Sequence, residues 1–211
     1  MAADTELAGP RPARLDPKVV AVAAVAGLSS GIALVVAILS DRPLWATSVF
    51  FMVPAFVTFV AVSVTIRRDE QALFLGRLRA GLLAGVLALM AYDASRWLVE
   101  AVNLSPTNSF QAIRIFGTGL TARPPGDRAS LIAGWAFHVT NGLGFSLTYL
   151  FLAAGRKWWV GIGYALVLEA FLIGLYPGWL GLTLTKEFVS VSIMGHVAFG
   201  SVLGAIASRT E

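Results

Sequence analysis

The 211-residue chain contains no cysteine. Disulfides, thiolate nucleophiles and cysteine-ligated zinc or iron–sulfur centres are thereby excluded. Charge is scarce too. Asp, Glu, Lys and Arg make up 13% of the chain, about half the roughly 25% of soluble proteins. A water-exposed surface on a domain of this length needs more. The net charge of +4 forms no clustered basic stripe with interleaved aromatics, so nucleic acid is not an expected partner. Histidine occurs only twice, at His138 and His196. His-Glu-x-x-His does not occur, so that zinc-protease motif is not present.

What the chain has in abundance is apolar sequence, 57% of all residues. A hydrocarbon core near 30 Å takes about 20 apolar residues in a helix. Six segments meet or approach that length, at about 19–39, 45–66, 80–102, 131–154, 158–176 and 188–207. Their apolar runs are continuous rather than alternating, which favours helices over a barrel. The expected fold is all-α, a polytopic transmembrane helix bundle of about six spans. Residues 1–17 are polar and rich in Ala and Pro, and read as a disordered cytoplasmic tail. Residues 18–208 read as a single six-helix transmembrane domain. The first run exceeds a signal-peptide core of about 7–15 residues and is expected to be retained. Pro54 inside the second run predicts a kink.

Basic residues between the runs set the orientation. Arg11, Arg14, Lys18, Arg67, Arg68, Arg77, Arg79, Arg156, Lys157 and Arg209 share one side, against Arg42, Arg114, Arg123, Arg128 and Lys186 on the other. That bias predicts both termini inside, in a bacterial inner (plasma) membrane. The long 103–130 connection between spans three and four then lies outside. In it Phe110, Ile113, Phe116 and Leu120 recur at near-helical spacing after the capping candidates Asn108 and Ser109. A short interfacial helix over the bundle is expected, as a lid or as a plain surface segment. Asn103-Leu104-Ser105 matches a glycosylation sequon. The tryptophans Trp135, Trp158, Trp159 and Trp179 read as interfacial anchors.

Ionisable residues inside apolar spans are the informative feature. A charge at the centre of a lipid-exposed helix costs at least about 2.5–3.5 kcal/mol on insertion scales. The chain nevertheless places Asp93, Arg96, His138, Glu169 and His196 within its spans, with Glu100 near the end of the third. At about 1.5 Å per residue, Asp93, His138, Glu169 and His196 come from four spans to one level, between the midplane and the outer third. Asp93, Arg96 and Glu100 share one helical face, so Arg96 is expected to pair with both acids. Tyr92 is adjacent. The later spans show comparable stripes, His138 with Asn141, Glu169 with Tyr176, and Ser192 with His196. GWAFHVTNG and SIMGHVAFG share His-Val-x-x-Gly, each following a helix with a buried acid. This suggests a parallel repeat about an axis along the membrane normal.

Three functions fit this pattern. The first is a membrane-embedded enzyme acting on an apolar or lipid-like molecule. Asp93, His138, Glu169 and His196 would be its acid–base residues, and Arg96, Tyr92, Asn141 and Tyr176 would hold substrate, Arg96 on an anionic group. A metal form of that site would hold zinc or iron on His138, His196 and Glu169, or Asp93. A haem b between the two histidines needs their rings to face each other across a slot. The second function is a proton-coupled transporter or ion-handling protein, because chains of Asp, Glu and His are the material of proton relays. The third is a structural subunit of a membrane complex, where the same groups join helices.

Overall fold

The computed structural model describes residues 14–102, 110–181 and 183–210. Among them every regular element is helical. In chain order these are α1 (Pro17–Gly27), α2 (Ser29–Ser40), α3 (Leu44–Thr65), α4 (Arg68–Ala101), α5 (Gln111–Thr121), α6 (Arg128–Ala153), α7 (Trp159–Leu175), α8 (Pro177–Leu180) and α9 (Lys186–Ala207). Three of the helices, α3, α4 and α9, are long and apolar enough to cross a membrane, and the bent pair α1–α2 makes a fourth candidate. This is the architecture of a membrane-embedded helical protein. α7 is apolar but has 17 residues. α6 has 26 residues, yet His138, Thr140 and Asn141 dilute its apolar run.

Local sequence explains the helix boundaries. Asp16 caps α1 by accepting from Lys18 N at 2.7 Å, with Pro17 in the first turn, where its missing N–H costs nothing. Asp127 and Thr185 cap α6 and α9 in the same way. Pro54 lies inside α3, which continues as one helix to Thr65. The first apolar run does not make one straight helix. It breaks at Leu28 with a bend of 52°, amid Gly27, Ser29, Ser30 and Gly31, the small residues at which helices bend. Gly27 also admits α6. A Cβ there would meet Thr148 Oγ1 at 2.5 Å and Gly144 O at 2.7 Å, while Thr148 Oγ1 donates to Ala24 O at 3.0 Å.

The packing runs in series. α6 lies on α4, α4 on α9 and α9 on α7, while α1 and α5 cover α6 and α3 covers α2. α6 and α7 barely meet. A parallel repeat about a membrane-normal axis would require α6 on α7 to match α4 on α9. The second pair of helices instead continues the first, side by side. Glycines set two of the crossings. On α9, a Cβ at Gly200 would strike Gly161 O and the Ile162 backbone of α7. On α6, a Cβ at Gly134 would strike Ile113 O of α5. Such small residues let backbones approach closely without a hydrophobic driving force.

One end of the bundle gathers Leu15, Val19, Ile66, Phe74 and Phe151. There Asp16 N donates to Glu70, which also accepts from Arg67 Nε at 2.7 Å. That bond, with Asp69 close by, holds the Arg67 guanidinium above its ordinary pKa. Arg77 reaches Phe151 O, and Gly155 N donates to Ala207 O. The other end gathers Leu34, Leu44, Phe116, Phe137 and Tyr176. The expected amphipathic segment is α5, with Ile113 and Phe116 buried against the bundle. Its expected caps Asn108 and Ser109, the 103–105 sequon and the first thirteen residues lie outside the described residues. On α3, Phe50 and Phe56 are each 70% exposed, the condition expected of a lipid-facing surface.

Candidate functional site

Tyr92 and Arg96 are one turn apart on α4, where i and i+4 side chains meet. Arg96 Nη1 donates to the Tyr92 hydroxyl at 2.6 Å, and the guanidinium lies 5.0 Å from the Tyr92 ring centroid. Phe110 covers Arg96 at 5.9 Å. The expected pairing of Arg96 with Asp93 and Glu100 is corrected here. Among the described residues Asp93 pairs with His138, and no ion pair joins Arg96 to either acid. Spacing along one helix allowed the intrahelical pair, but α6 brings an imidazole to Asp93 from across the interface.

Each acid meets the histidine of its own pair of helices. His138 Nε2 lies 3.0 and 3.2 Å from the two Asp93 carboxylate oxygens. His196 Nδ1 lies 2.8 Å from Glu169 Oε2 and 3.0 Å from Ser192 O. The Ser192 hydroxyl donates to the same Glu169 oxygen at 2.9 Å. Asp93 thus meets the distal ring nitrogen of His138, and Glu169 the proximal ring nitrogen of His196. Glu169 is 2% exposed, and its Oε1 has no hydrogen-bond partner among the described residues. The Tyr92 ring joins the two couples, with its centroid 5.9 Å from that of His138 and 5.1 Å from that of His196.

These groups face a cavity of about 340 Å³ lined by α2, α4, α5, α6, α7 and α9, within the roughly 300–1,000 Å³ of small-molecule sites. Tyr92, Arg96, His138, Asn141, Ser192 and His196 supply most of its polar wall, with Tyr176 beneath α5. Asn141 Oδ1 accepts from Ser30 Oγ at 2.8 Å. Asp93 and Glu169 do not line the cavity. They stand behind their histidines and orient them. The partners also define the tautomers. Ser192 O can only accept, so His196 Nδ1 carries a proton and the neutral ring presents Nε2 as a lone pair. A carboxylate on His138 Nε2 likewise leaves Nδ1 as the basic nitrogen.

Among the described residues no group of three His, Asp or Glu side chains is arranged to hold a metal ion. Each imidazole turns to its own carboxylate. The Tyr92 ring packs against both His138 and His196, the two residues expected to flank a haem. Trp135 and Trp179 also make ring contacts within the bundle. The Trp135 ring stands edge-on to His138 at 5.6 Å, and Trp179 lies over Phe116. Trp135 is three residues before His138, so helical spacing already placed it on that face.

Comparison of the chain with known protein families, with characterised proteins and with solved structures finds no match.

Proposed function

We propose that the chain is a six-span, single-domain protein of a bacterial inner membrane, with both termini inside. In this reading it binds an apolar or lipid-like molecule in the cavity beneath α5 and acts on its polar end by general acid–base catalysis. The observation that carries this is the Ser192–Glu169–His196 network against that cavity. A buried carboxylate holds the inner ring nitrogen and leaves the outer one as a base toward a water-poor space, the arrangement by which histidine is oriented for proton abstraction. His196 would be the base, with His138 the second proton-handling group. Asp93 and Glu169 would act through them as positioning residues. Tyr92, Arg96 and Asn141 would hold the polar end, and Tyr176 and α5 would close the apolar one.

The test is conversion of a bacterial lipid extract by the purified chain in nanodiscs, without a gradient. General acid–base catalysis contributes roughly 10²–10⁴-fold, so His196→Ala should lose about 10² or more while the protein stays folded. Turnover unchanged in that variant rules His196 out as the base.

A second reading, a proton-coupled transporter, is favoured by the presence of two carboxylate–histidine couples joined through one tyrosine ring, since such chains serve proton relays. Proton flux in sealed liposomes, with no lipid converted, would select it.

A further inference from the structure

The cavity walls divide by chemistry. Apart from Tyr176 at the end of α7, its polar groups come from α4, α6 and α9. The walls from α2 and α7 are wholly apolar, with Ile32, Val35 and Val36 on one side and Leu168, Phe171 and Leu172 on the other. α2 and α7 do not pack on each other to any extent. Their lining residues are only partly buried, and Phe171 is 54% exposed. The cavity therefore reaches the outer surface of the bundle between these two helices, at a height where both present apolar side chains.

The polar wall also selects a head group. His196 holds its acid at Nδ1, which leaves Nε2, and His138 holds its acid at Nε2, which leaves Nδ1; in the neutral rings those free nitrogens are acceptors. Both rings have a carboxylate behind them. A ligand atom bonded to either of these nitrogens in the neutral ring must donate a hydrogen. A carboxylate or phosphate oxygen there would meet a lone pair with an acid behind it. A hydroxyl satisfies the site in both directions, donating to an imidazole and accepting from the Arg96 or Tyr92 side of the wall.

We propose that the cavity takes a long-chain lipid bearing a hydroxyl head, which arrives sideways from the bilayer through the slot between α2 and α7. The head sits against His196 and His138, and the chain lies between Ile32 and Phe171. This deepens the acid–base reading, because a hydroxyl is the group from which such a histidine removes a proton. It replaces the anionic head group with a hydrogen-bond donor.

The experiment uses the full chain in nanodiscs and hexadecanol carrying a terminal diazirine, with hexadecanol, palmitate and hexadecane as competitors. Labelling should be saturable, with adducts on the slot residues of α2 and α7. Hexadecanol should compete about tenfold better than palmitate or hexadecane, the difference of one well-made hydrogen bond. His196→Phe should remove that preference while labelling of the slot persists. If that variant does not fold, the competition series on the unaltered chain decides alone. Equal or better competition by palmitate overturns the head-group assignment. Adducts spread over the lipid face of α3 overturn the slot. Alcohol-selective labelling without any turnover of lipid would leave this proposal standing and defeat the enzyme reading, so the two fail separately.

Discussion

Glu169 and Asp93 make the same kind of bond from different surroundings. The Glu169 side chain is 3% exposed and accepts from both Ser192 and His196, whereas that of Asp93 is 25% exposed. Truncating a buried acceptor strands its donors, which costs roughly 1–3 kcal/mol per group. Partly exposed ion pairs contribute about 1 kcal/mol or less. Glu169→Ala should therefore lower thermal stability in detergent clearly more than Asp93→Ala does, while both reduce activity. Melting curves of the two variants in one detergent check this. A larger loss for Asp93→Ala would mean that burial does not rank the two couples. The sequence already singled out these residues, since a buried charge needs a reason to persist. It did not disclose their partners. Arg96 has three suitable neighbours along its own helix, and only the approach of α6 and α9 settles that it bonds Tyr92 while Asp93 takes His138.

At the scale of helices, glycine decides who packs on whom. Gly200 has the Gly161 carbonyl of α7 where a side chain would go, at 2.5 Å. At Gly163, two residues along α7, an added Cβ would meet no neighbouring element within 4 Å among the described residues. Gly200→Val should force α7 from α9 and cost about 1–3 kcal/mol, as overpacking does. Gly163→Ala should be neutral or gain up to about 1 kcal/mol from helix propensity. Thermal unfolding of both variants in detergent checks the pair, and a neutral Gly200→Val would show that the crossing is not tight. Helical periodicity revealed the apolar runs, the amphipathic α5 and the common level of four ionisable groups, because those features repeat within one segment. The serial order of α6, α4, α9 and α7 was not legible. Each glycine crossing pairs residues distant in sequence, and nothing in one stripe names the other. The break at Leu28 was similarly hidden, because Gly27 and Ser29 stand in a run apolar enough to read as one span.

The whole molecule turns on whether α6 and α7 cross the membrane with the longer helices. α6 falls short of α3, α4 and α9 in apolarity, and α7 in length. Their contacts favour a full crossing. Phe137 of α6 packs with Leu44 and Phe116 at one end of the bundle, while Phe151, four turns on, packs with Leu15 and Phe74 at the other. α7 runs the same height, from Trp158 beside Gly204 to Leu172 and Leu175 beside Tyr176. Lipid need not see their polar residues, because His138 and Glu169 face inward to partners. Hydropathy counts what a helix carries, whereas insertion depends on what it shows to lipid. The absence of cysteine makes this simple to test. Single cysteines in place of Gly126, Arg156 and Ser208, all exposed, can be labelled in intact and inverted vesicles with a charged maleimide. Six spans require Arg156→Cys and Ser208→Cys to react from the inside and Gly126→Cys from the outside. Labelling of Gly126→Cys and Arg156→Cys from the same face would mean that α6 does not cross. The carboxylate–histidine couples would then lie near a membrane surface rather than within the bilayer. Arg156→Cys and Ser208→Cys both outside, with Gly126→Cys inside, would keep six spans and reverse the orientation drawn from the basic residues.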